Sequence, residues 1–233
     1  MNIKNLGCDF EKLLRQYNEA SELIKTLKLY GELLLFGGAV REYMDNKFNH
    51  LPRDFDIVIK KNNEYVNLDE ILYKFQYKKN RFGGYKIRVN QIEFDIWEIE
   101  NTWAFKENKV QINFGDYEKK LQDTVFLNID SIVYNLNTQD YYNKKYENAM
   151  ENKSLDVVLE ENPYIELNLL RAILFKKKYN MDFSDKLSRI LSDFVDNNNN
   201  YLKLMEEVQI KHYRTFKIES LDLDKEINSI IYY

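Results

Sequence analysis

The stretch from Leu33 to Lys60 constrains the fold more than any other part of this chain. It predicts a strand, a glycine turn, a helix, a loop and a second strand, in that order. A short apolar run ends at Phe36, Gly37 and Gly38 follow, and residues 39–44 can begin a helix. From residue 54 to 59 the sequence DFDIVI starts with polar and apolar residues in alternation, which is typical of a β-strand with one face in a core.

The two acidic residues of that second strand are candidate metal ligands. Side chains two residues apart on a strand project from the same face, so Asp54 and Asp56 are predicted to lie side by side. Adjacent carboxylates repel and are costly to desolvate, and a divalent cation removes that cost. Oxygen ligands of this kind suit Mg²⁺, which usually keeps several waters and also takes substrate phosphates. A glycine turn that opens a helix offers free N–H groups to such phosphates.

Each of these two features also has a plain structural explanation. A Gly-Gly pair before a helix can be no more than a tight turn, and an Asp-x-Asp strand can be a solvated sheet edge. Their order and spacing are more informative than either feature alone.

A third acidic position follows in a predicted hairpin. Two strands, 85–89 and 92–99, are expected to meet at the Asn90-Gln91 turn. In the second strand the apolar residues point one way and Glu93, Asp95 and Trp97 the other. Glu93 and Asp95 are therefore predicted to share one strand face, and an exposed acidic strand face is the plain structural explanation.

Composition limits the class of protein. The 233 residues are 44% hydrophobic and include 7 Gly and 2 Pro, so a substantial core and mostly regular structure are expected. Cys8 is the one cysteine, which excludes a disulfide within the chain. No membrane-spanning run or signal-peptide pattern is seen, and a cytoplasmic protein is expected. The net charge of −4 argues against broad nonspecific nucleic-acid binding but allows a local basic face.

Order and spacing together resemble the nucleotidyltransferase head of the polymerase β type, and most closely the head of the tRNA nucleotidyltransferase and poly(A) polymerase family, which includes the CCA-adding enzymes. The matching residues are Gly37, Gly38, Val40, Arg41, Glu42, Asp54 and Asp56. The resemblance implies an α+β fold, with a small mixed sheet, covering helices and a helical C-terminal part. It places the catalytic head at residues 1–145 and a neck-like helical domain at residues 146–233.

The same resemblance implies a set of site residues. Two Mg²⁺ ions would be held by Asp54, Asp56 and a third carboxylate. The DIW context resembles other nucleotidyltransferases and favours Asp95 for this third position, whereas alignment with the tRNA enzymes favours Glu93, the fallback. An NTP would lie against the backbone at residues 37–38. The arginines expected to contact it are Arg41, Arg53 and Arg171.

The resemblance weakens in the segments that select the nucleotide. Residues 123–136 predict a strand followed by a helix, with Asp130 near the helix start. Thr124, Val125 and Phe126 stand where the family has Arg, Arg and Asp. In the predicted helix 163–178, Asn168 occupies the position of the base-reading arginine of the family. CCA specificity is therefore not carried over to this chain.

The function implied is metal-dependent transfer of an NMP from an NTP to an acceptor hydroxyl, with release of pyrophosphate. The family favours an RNA acceptor, the 3′ end of a tRNA, whereas the acidity of the chain favours a protein or small-molecule hydroxyl. A degenerate head that only binds a nucleotide or a partner is a third alternative. A cluster of basic and aromatic residues at 211–217 (KHYRTFK) has no assigned role at this point.

Overall fold

A computed structural model describes residues 3–113 and 115–232 of the chain. Within that part, the chain divides into two compact units. The first consists of Met1–Thr124 and Asp130–Lys144, and the second of Val125–Ile129 and Lys145–Tyr233. The roles predicted for the two parts, catalytic head and neck, remain predictions.

The first unit is built around a sheet whose strands alternate with short helices. Its helices are α1 (Leu6–Leu14), α2 (Asn18–Tyr30), α3 (Gly38–Asn46), α4 (Leu68–Leu72), α5 (Trp103–Lys106) and α6 (Tyr117–Leu121). Its strands are β1 (Gly31–Phe36), β2 (Phe55–Lys61), β3 (Tyr77–Lys79), β4 (Tyr85–Val89), β5 (Ile92–Glu98), β6 (Val133–Asn135) and β7 (Tyr141–Tyr142). Among the described residues these seven strands form one sheet, in the order β3-β4-β5-β2-β1-β6-β7.

The pairing within this sheet is antiparallel except between β2 and β5, which run parallel. The mixed sheet and its covering helices confirm the predicted α+β class. The Asn90-Gln91 hairpin is confirmed as well, because Val89 pairs with Ile92 across the turn. The apolar stretch at 10–29 forms the two helices α1 and α2, and the helix predicted after Gly37-Gly38 is α3.

One face of the sheet is buried under an aromatic cluster. Phe55 and Phe94, which are neighbours on β2 and β5, have ring centroids 5.6 Å apart in a stacked arrangement. Phe10 of α1 packs its edge on Phe55 at 5.2 Å. All three rings are fully buried. Burying side chains of this size is the largest favourable contribution such a core makes.

The opposite face is apolar over only part of its length. Leu34, Val58 and Val133 are buried there beneath Phe105 of α5 and Leu121 of α6. Towards the other end of the same face the sequence places acidic residues instead. This change from apolar to acidic along one face sets the position of the candidate site.

Residues 123–136 do not form the predicted strand and helix. The chain instead makes short 3₁₀ turns at Gln122–Thr124 and Asn128–Asp130 and then strand β6. The helix prediction was wrong because residues 129–136 are buried throughout, so the apolar spacing that suggested a helix is that of a strand covered on both faces. β6 is flanked by β1 and β7.

The second unit is mainly helical. Its helices are α7 (Lys144–Asn152), α8 (Ile165–Tyr179), α9 (Asp185–Asn197), α10 (Tyr201–Tyr213) and α11 (Ser220–Ile231). Its strands β8 (Ser154–Leu155) and β9 (Asp182–Phe183) form a parallel pair. Ser184 caps α9 by accepting a hydrogen bond from the N–H of Leu187 at 3.1 Å. No helix in the described part of the chain is long and apolar enough to span a membrane.

Candidate active site

The register of the first sheet brings the predicted acidic residues to one end of one face. Asp56 on β2 is the direct partner of Asp95 on β5. Phe36, the last residue of β1, is the partner of Asp56 on its other side. Direct cross-strand partners project from the same face of a sheet. Gly37 and Gly38 follow Phe36, so the glycine turn also lies at this end.

Asp54 lies immediately before β2 and is held by its neighbour in sequence. The Nε of Arg53 donates to Asp54 Oδ2 at 3.0 Å, and a terminal guanidinium nitrogen lies 2.9 Å from the same oxygen. Arg53 is half exposed, whereas Asp54 is mostly covered. The structure thus places the predicted residue Arg53 beside the carboxylates, where it neutralises Asp54.

Lys86 on β4 is the cross-strand partner of Asp95 and supplies a second positive charge. Its Nζ lies 3.3 Å from Asp95 Oδ2 and 3.7 Å from Glu93 Oε2. Burial raises the pKa of the Asp95 carboxyl above its ordinary value, while Lys86 lowers it and the charge of Asp54 adds to the rise. Burial tends to lower the pKa of Lys86, but the charge and hydrogen bond of Asp95, together with the charges of Glu93 and Asp54, outweigh it and the pKa is raised. Asp54, Asp95 and Lys86 therefore act on one another electrostatically.

Glu93 shares this face with Asp95 but is more exposed. Extending the β2–β5 register by one pair puts Glu93 level with Asp54, two residues along the strand from Asp95. The side chain of Glu93 is 36% exposed and that of Asp95 is 23% exposed. The deeper position, directly opposite Asp56, favours Asp95 as the third carboxylate.

The glycine turn that precedes α3 requires glycine at its first position. Gly37 has φ 61° and ψ −121°, a conformation that residues with a side chain rarely adopt. Its N–H donates to the carbonyl of Ile132 at 3.0 Å, and its carbonyl accepts from the N–H of Arg41 at 3.0 Å. A Cβ added at Gly38 would meet only the Arg41 guanidinium, at 3.8 Å, among the described atoms. Gly38 therefore keeps open space beside the start of α3.

Arg41, predicted to orient the nucleotide, is buried in an ion pair with Asp130. Their side chains are 7% and 9% exposed, and the contact is a direct one between a guanidinium nitrogen and a carboxylate oxygen. Because Gly37 is bonded to Ile132 and Arg41 to Asp130, the turn and the 130–132 segment hold each other in place. Breaking a buried pair of this kind leaves an uncompensated charge in the interior.

The donor set fits magnesium in its chemistry. Asp54, Asp56 and Asp95 are carboxylates at the end of one sheet face, which is the ligand type that Mg²⁺ prefers. In the arrangement described for residues 3–113 and 115–232, no three acidic, histidine or cysteine side chains converge closely enough to enclose a metal ion. Arg53 and Lys86 provide the positive charge there. Bound cations would replace Arg53 and Lys86 as the positive charge that compensates the carboxylates.

The fold of most of the chain resembles that of solved CCA-adding enzymes. A CCA-adding enzyme in its apo form I matches with a TM-score of 0.60 at 16% identity, over 94% of this chain and 53% of that one. A CCA-adding enzyme with CTP gives a TM-score of 0.59 at 15% identity, over 87% and 49%. The CCA-adding enzyme of Thermotoga maritima complexed with tRNA gives 0.56 at 16%, over 85% and 46%.

The chain therefore shares the fold of these enzymes. It spans about half the length of each of them. No protein-family model matches the chain, and no curated protein matches it significantly. With identities this low the likeness establishes the fold, and the chemistry has to be argued from the residues.

Arg171, the predicted nucleotide-binding residue of the second unit, lies on α8. Arg171 packs its guanidinium 5.6 Å from the ring centroid of Phe175. Asn168 is buried, and its side-chain amide donates to the carbonyl of Pro163 at 3.0 Å. Tyr164, just before the helix, has a left-handed backbone conformation with φ 66° and is 50% exposed.

Sequence reasoning missed Lys86, although the signal was present. A two-residue turn at Asn90-Gln91 pairs Val89 with Ile92, and counting back along both strands places Lys86 opposite Asp95. The pairing of Arg41 with Asp130 carried no comparable signal, because 89 residues separate them.

Proposed function

We propose that this protein is a metal-dependent nucleotidyltransferase that moves an NMP from an NTP to an acceptor hydroxyl and releases pyrophosphate. One observation carries the proposal: the sheet register brings Asp56, Asp95 and the Gly37-Gly38 turn to the same end of one sheet face, with Asp54 beside them. Acidic groups crowded in this way cost stability, since burial and the charge of Asp54 both disfavour an ionised Asp95. A role in binding cations and phosphates accounts for that cost.

Each part of this site has a chemical task in the proposed reaction. The backbone N–H groups at the start of α3 hold the triphosphate, and the space beside Gly38 lets it approach. Asp54, Asp56 and Asp95 would hold two Mg²⁺ ions, which supply charge stabilisation and a lower pKa for the attacking hydroxyl when bound. The acceptor oxygen attacks the α-phosphorus in line, the bond to the bridging oxygen breaks, and pyrophosphate leaves.

The arginines of the first unit are assigned different tasks. Arg53, half exposed beside Asp54, is placed to contact phosphate oxygens once cations replace it at the carboxylates. Arg41 acts through the glycine turn, because its guanidinium is buried against Asp130. Arg171 remains a candidate phosphate contact of the second unit.

We further propose an RNA 3′ end, such as that of a tRNA, as the acceptor. The shared fold supports this choice, since solved structures with that fold include a CCA-adding enzyme complexed with tRNA. One observation favours a protein or small-molecule hydroxyl instead: the net charge of the chain is −4, which opposes broad binding to a polyanion.

The experiment offers each α-³²P-labelled NTP, with Mg²⁺, to total RNA and separately to whole-cell protein. Label in RNA that depends on Asp56 supports the RNA acceptor, and label in protein supports the alternative. NTP binding without label in either pool, and without pyrophosphate release, overturns the proposed transfer and leaves a nucleotide-binding protein. An Asp56→Asn variant serves as the matched blank in every arm.

A further inference from the structure

The second unit carries a basic and aromatic surface at the end of α10, here called the 211–217 surface. It consists of Lys211, His212, Arg214 and Phe216, with Tyr164 from the start of α8 beside them. Two hollows adjoin on it. One of about 260 Å³ is lined by Tyr164, Lys211 and His212, and one of about 460 Å³ by Lys211, Arg214 and Phe216. Lys211 lines both hollows.

The loop that presents this surface is held in place by a buried side chain. Gln209 is fully buried on α10, and its Oε1 accepts from the N–H groups of Lys217 at 2.8 Å and Ile218 at 3.1 Å. Its Nε2 donates to the carbonyl of Ile218 at 3.2 Å. Arg214 ends the helix with φ 62°. The chain from the end of α10 to Ile218 is therefore a fixed loop that turns Arg214 and Phe216 outwards. Phe216 is 44% exposed.

The cations of the surface are not engaged by carboxylates. Among residues 3–113 and 115–232, neither Lys211, Arg214 nor Lys217 has an acidic side chain within ion-pairing distance. The lysine run at the end of α8 differs, since Lys176 and Lys177 both pair with Glu226.

The acidic residues that line the larger hollow are already partnered. Glu207 pairs with Lys203 at 3.9 Å, and Glu206 accepts a hydrogen bond from the hydroxyl of Ser220. The surface is thus locally positive on a chain whose net charge is −4.

Cations interleaved with exposed aromatic rings match the chemistry of single-stranded nucleic acid. Phosphates pair with Lys and Arg, and unpaired bases stack on aromatic rings in a sequence-tolerant way. A duplex hides its base faces and would not use Tyr164 or Phe216. A lysine shared by two ring-bearing hollows suits one phosphate between two successive bases.

We propose that the 211–217 surface binds single-stranded RNA, with bases against Tyr164 and Phe216 and phosphates on Lys211 and Arg214. The choice of RNA rests on the proposed function, for which it supplies an acceptor-binding surface on the second unit. The surface itself is argued from its own rings and charges.

The test measures binding of the full-length protein to a fluorescein-labelled oligouridylate of about twelve nucleotides by anisotropy, over a range of salt concentrations and without NTP. The main variant is Lys211→Gln/Arg214→Asn, since asparagine tolerates the left-handed backbone at 214. We expect about tenfold weaker binding at about 50 mM salt. The slope of log K against log salt should become shallower by about 1.4, because each single-strand phosphate contact contributes about 0.7.

Two further variants separate stacking and net charge from local contacts. Phe216→Ala should weaken binding roughly fivefold or more without changing the salt slope, because it removes a stacking ring and no cation. Lys12→Gln/Lys225→Gln removes the same charge from exposed positions elsewhere and should bind like the unmodified protein. Far-ultraviolet circular dichroism confirms that each variant folds.

Several outcomes would overturn the inference. They are the absence of saturable binding at about 50 mM salt, an unchanged affinity and slope in Lys211→Gln/Arg214→Asn, and an equal loss in the charge-matched control. Stronger binding of a duplex RNA than of the single strand also contradicts it. Failure of the proposed function is distinguishable: an unmodified protein that transfers nothing to RNA but binds the oligonucleotide through Lys211 and Arg214 would reject the function and leave the surface standing. If the unmodified protein and Lys211→Gln/Arg214→Asn transfer to RNA with the same KM, the surface is rejected and the function stands.

Discussion

Polar side chains are unfavourably placed at the acidic end of the sheet in the first unit. At the start of α8 in the second unit they are satisfied by hydrogen bonds. At the sheet, Asp54 and Asp95 repel each other, and Asp95 is partly buried at a cost in stability. At α8, Asn168 is satisfied within its own segment by the carbonyl of Pro163. A bound cation would relieve the repulsion at the sheet, whereas the amide of Asn168 needs no ligand because it is already hydrogen-bonded.

This difference indicates which of the two regions is the better candidate for a functional site. Destabilising residues that cluster on rigid strands are better candidates for function than a buried polar residue whose hydrogen bond offsets the cost of its burial. By this criterion the acidic end of the sheet is the better candidate for a functional site. The start of α8, where the amide of Asn168 is satisfied by the carbonyl of Pro163, is the weaker one.

The largest expected effect is the loss of transfer when Asp56 on β2, or Asp54 immediately before it, is changed. Asp54→Asn or Asp56→Asn should lower the rate by about a thousandfold or more, since each would remove a proposed ligand of the cations that stabilise the transition state. The melting temperature should stay the same or rise, because a repulsion is relieved. The assay is release of pyrophosphate, with Glu100→Gln, an exposed acid of the same unit, as control. Full activity in either aspartate variant would falsify the metal role.

The buried pair of Arg41 and Asp130 should show the largest effect on stability. Asp130→Asn leaves the Arg41 guanidinium uncompensated, and we expect a loss of about 3–5 kcal/mol in the free energy of unfolding. Arg53→Gln, which removes a half-exposed partner of Asp54, should cost no more than about 1 kcal/mol.

Thermal unfolding of both variants checks this ranking. The double variant Arg41→Met/Asp130→Leu should recover much of the stability, because an apolar pair can replace a buried ion pair. Equal losses in the free energy of unfolding for Asp130→Asn and Arg53→Gln would show that burial does not determine how much each ion pair contributes to stability.

A smaller effect should distinguish the two candidates for the third carboxylate. Asp95 lies directly opposite Asp56 and is the more buried, so Asp95→Asn should reduce transfer about tenfold or more beyond Glu93→Gln. The measurement is kcat for the two variants at saturating Mg²⁺. The reverse ranking would assign the role to Glu93, which is level with Asp54.

The second unit is predicted to contribute little base selection. Rates with ATP, CTP, GTP and UTP on one acceptor should agree within about tenfold, because Asn168 cannot offer the planar fork of an arginine and its amide already serves Pro163. Single-nucleotide incorporation measures the four rates. Ordered addition of C, C and A to a truncated tRNA would contradict this expectation.

Local patterns predicted the strands, the hairpin and the positions of the carboxylates because these depend on near neighbours in sequence. The alternation at 54–59 and the turn at Asn90-Gln91 were sufficient to place Asp56 and Asp95 on their strands. Their parallel pairing was not visible in any local pattern, and neither was the contact of Arg41 with a residue of the 130–132 segment. The segment 123–136 was misassigned because a fully buried strand and a buried helix both read as apolar runs.

The smallest effect should come from a hydrogen bond that braces the helical unit. Tyr201 on α10 donates to Asp224 Oδ1 on α11 at 2.6 Å, and burial together with this bond raises the pKa of Tyr201 to about 12. The folded state therefore holds the phenol proton more tightly than the unfolded chain does. The stability from this group is fully present below about pH 10 and is lost as the pH rises through about 12.

Tyr201→Phe should accordingly lower the free energy of unfolding by about 1 kcal/mol at neutral pH, with a difference from the unmodified protein that shrinks above about pH 10. Urea unfolding at several pH values measures both quantities, and Tyr213→Phe on the same helix is the control. A difference that grew with pH would mean that the tyrosinate, and not the phenol, is the form that the fold stabilises. A pH-independent difference would mean that folding does not shift the pKa of Tyr201, and would contradict the hydrogen bond to Asp224 as the cause. In either case the hydrogen bond from Tyr201 to Asp224 would contribute less to the stability of the second unit than we expect, and the contrast between that unit and the acidic sheet would be weaker.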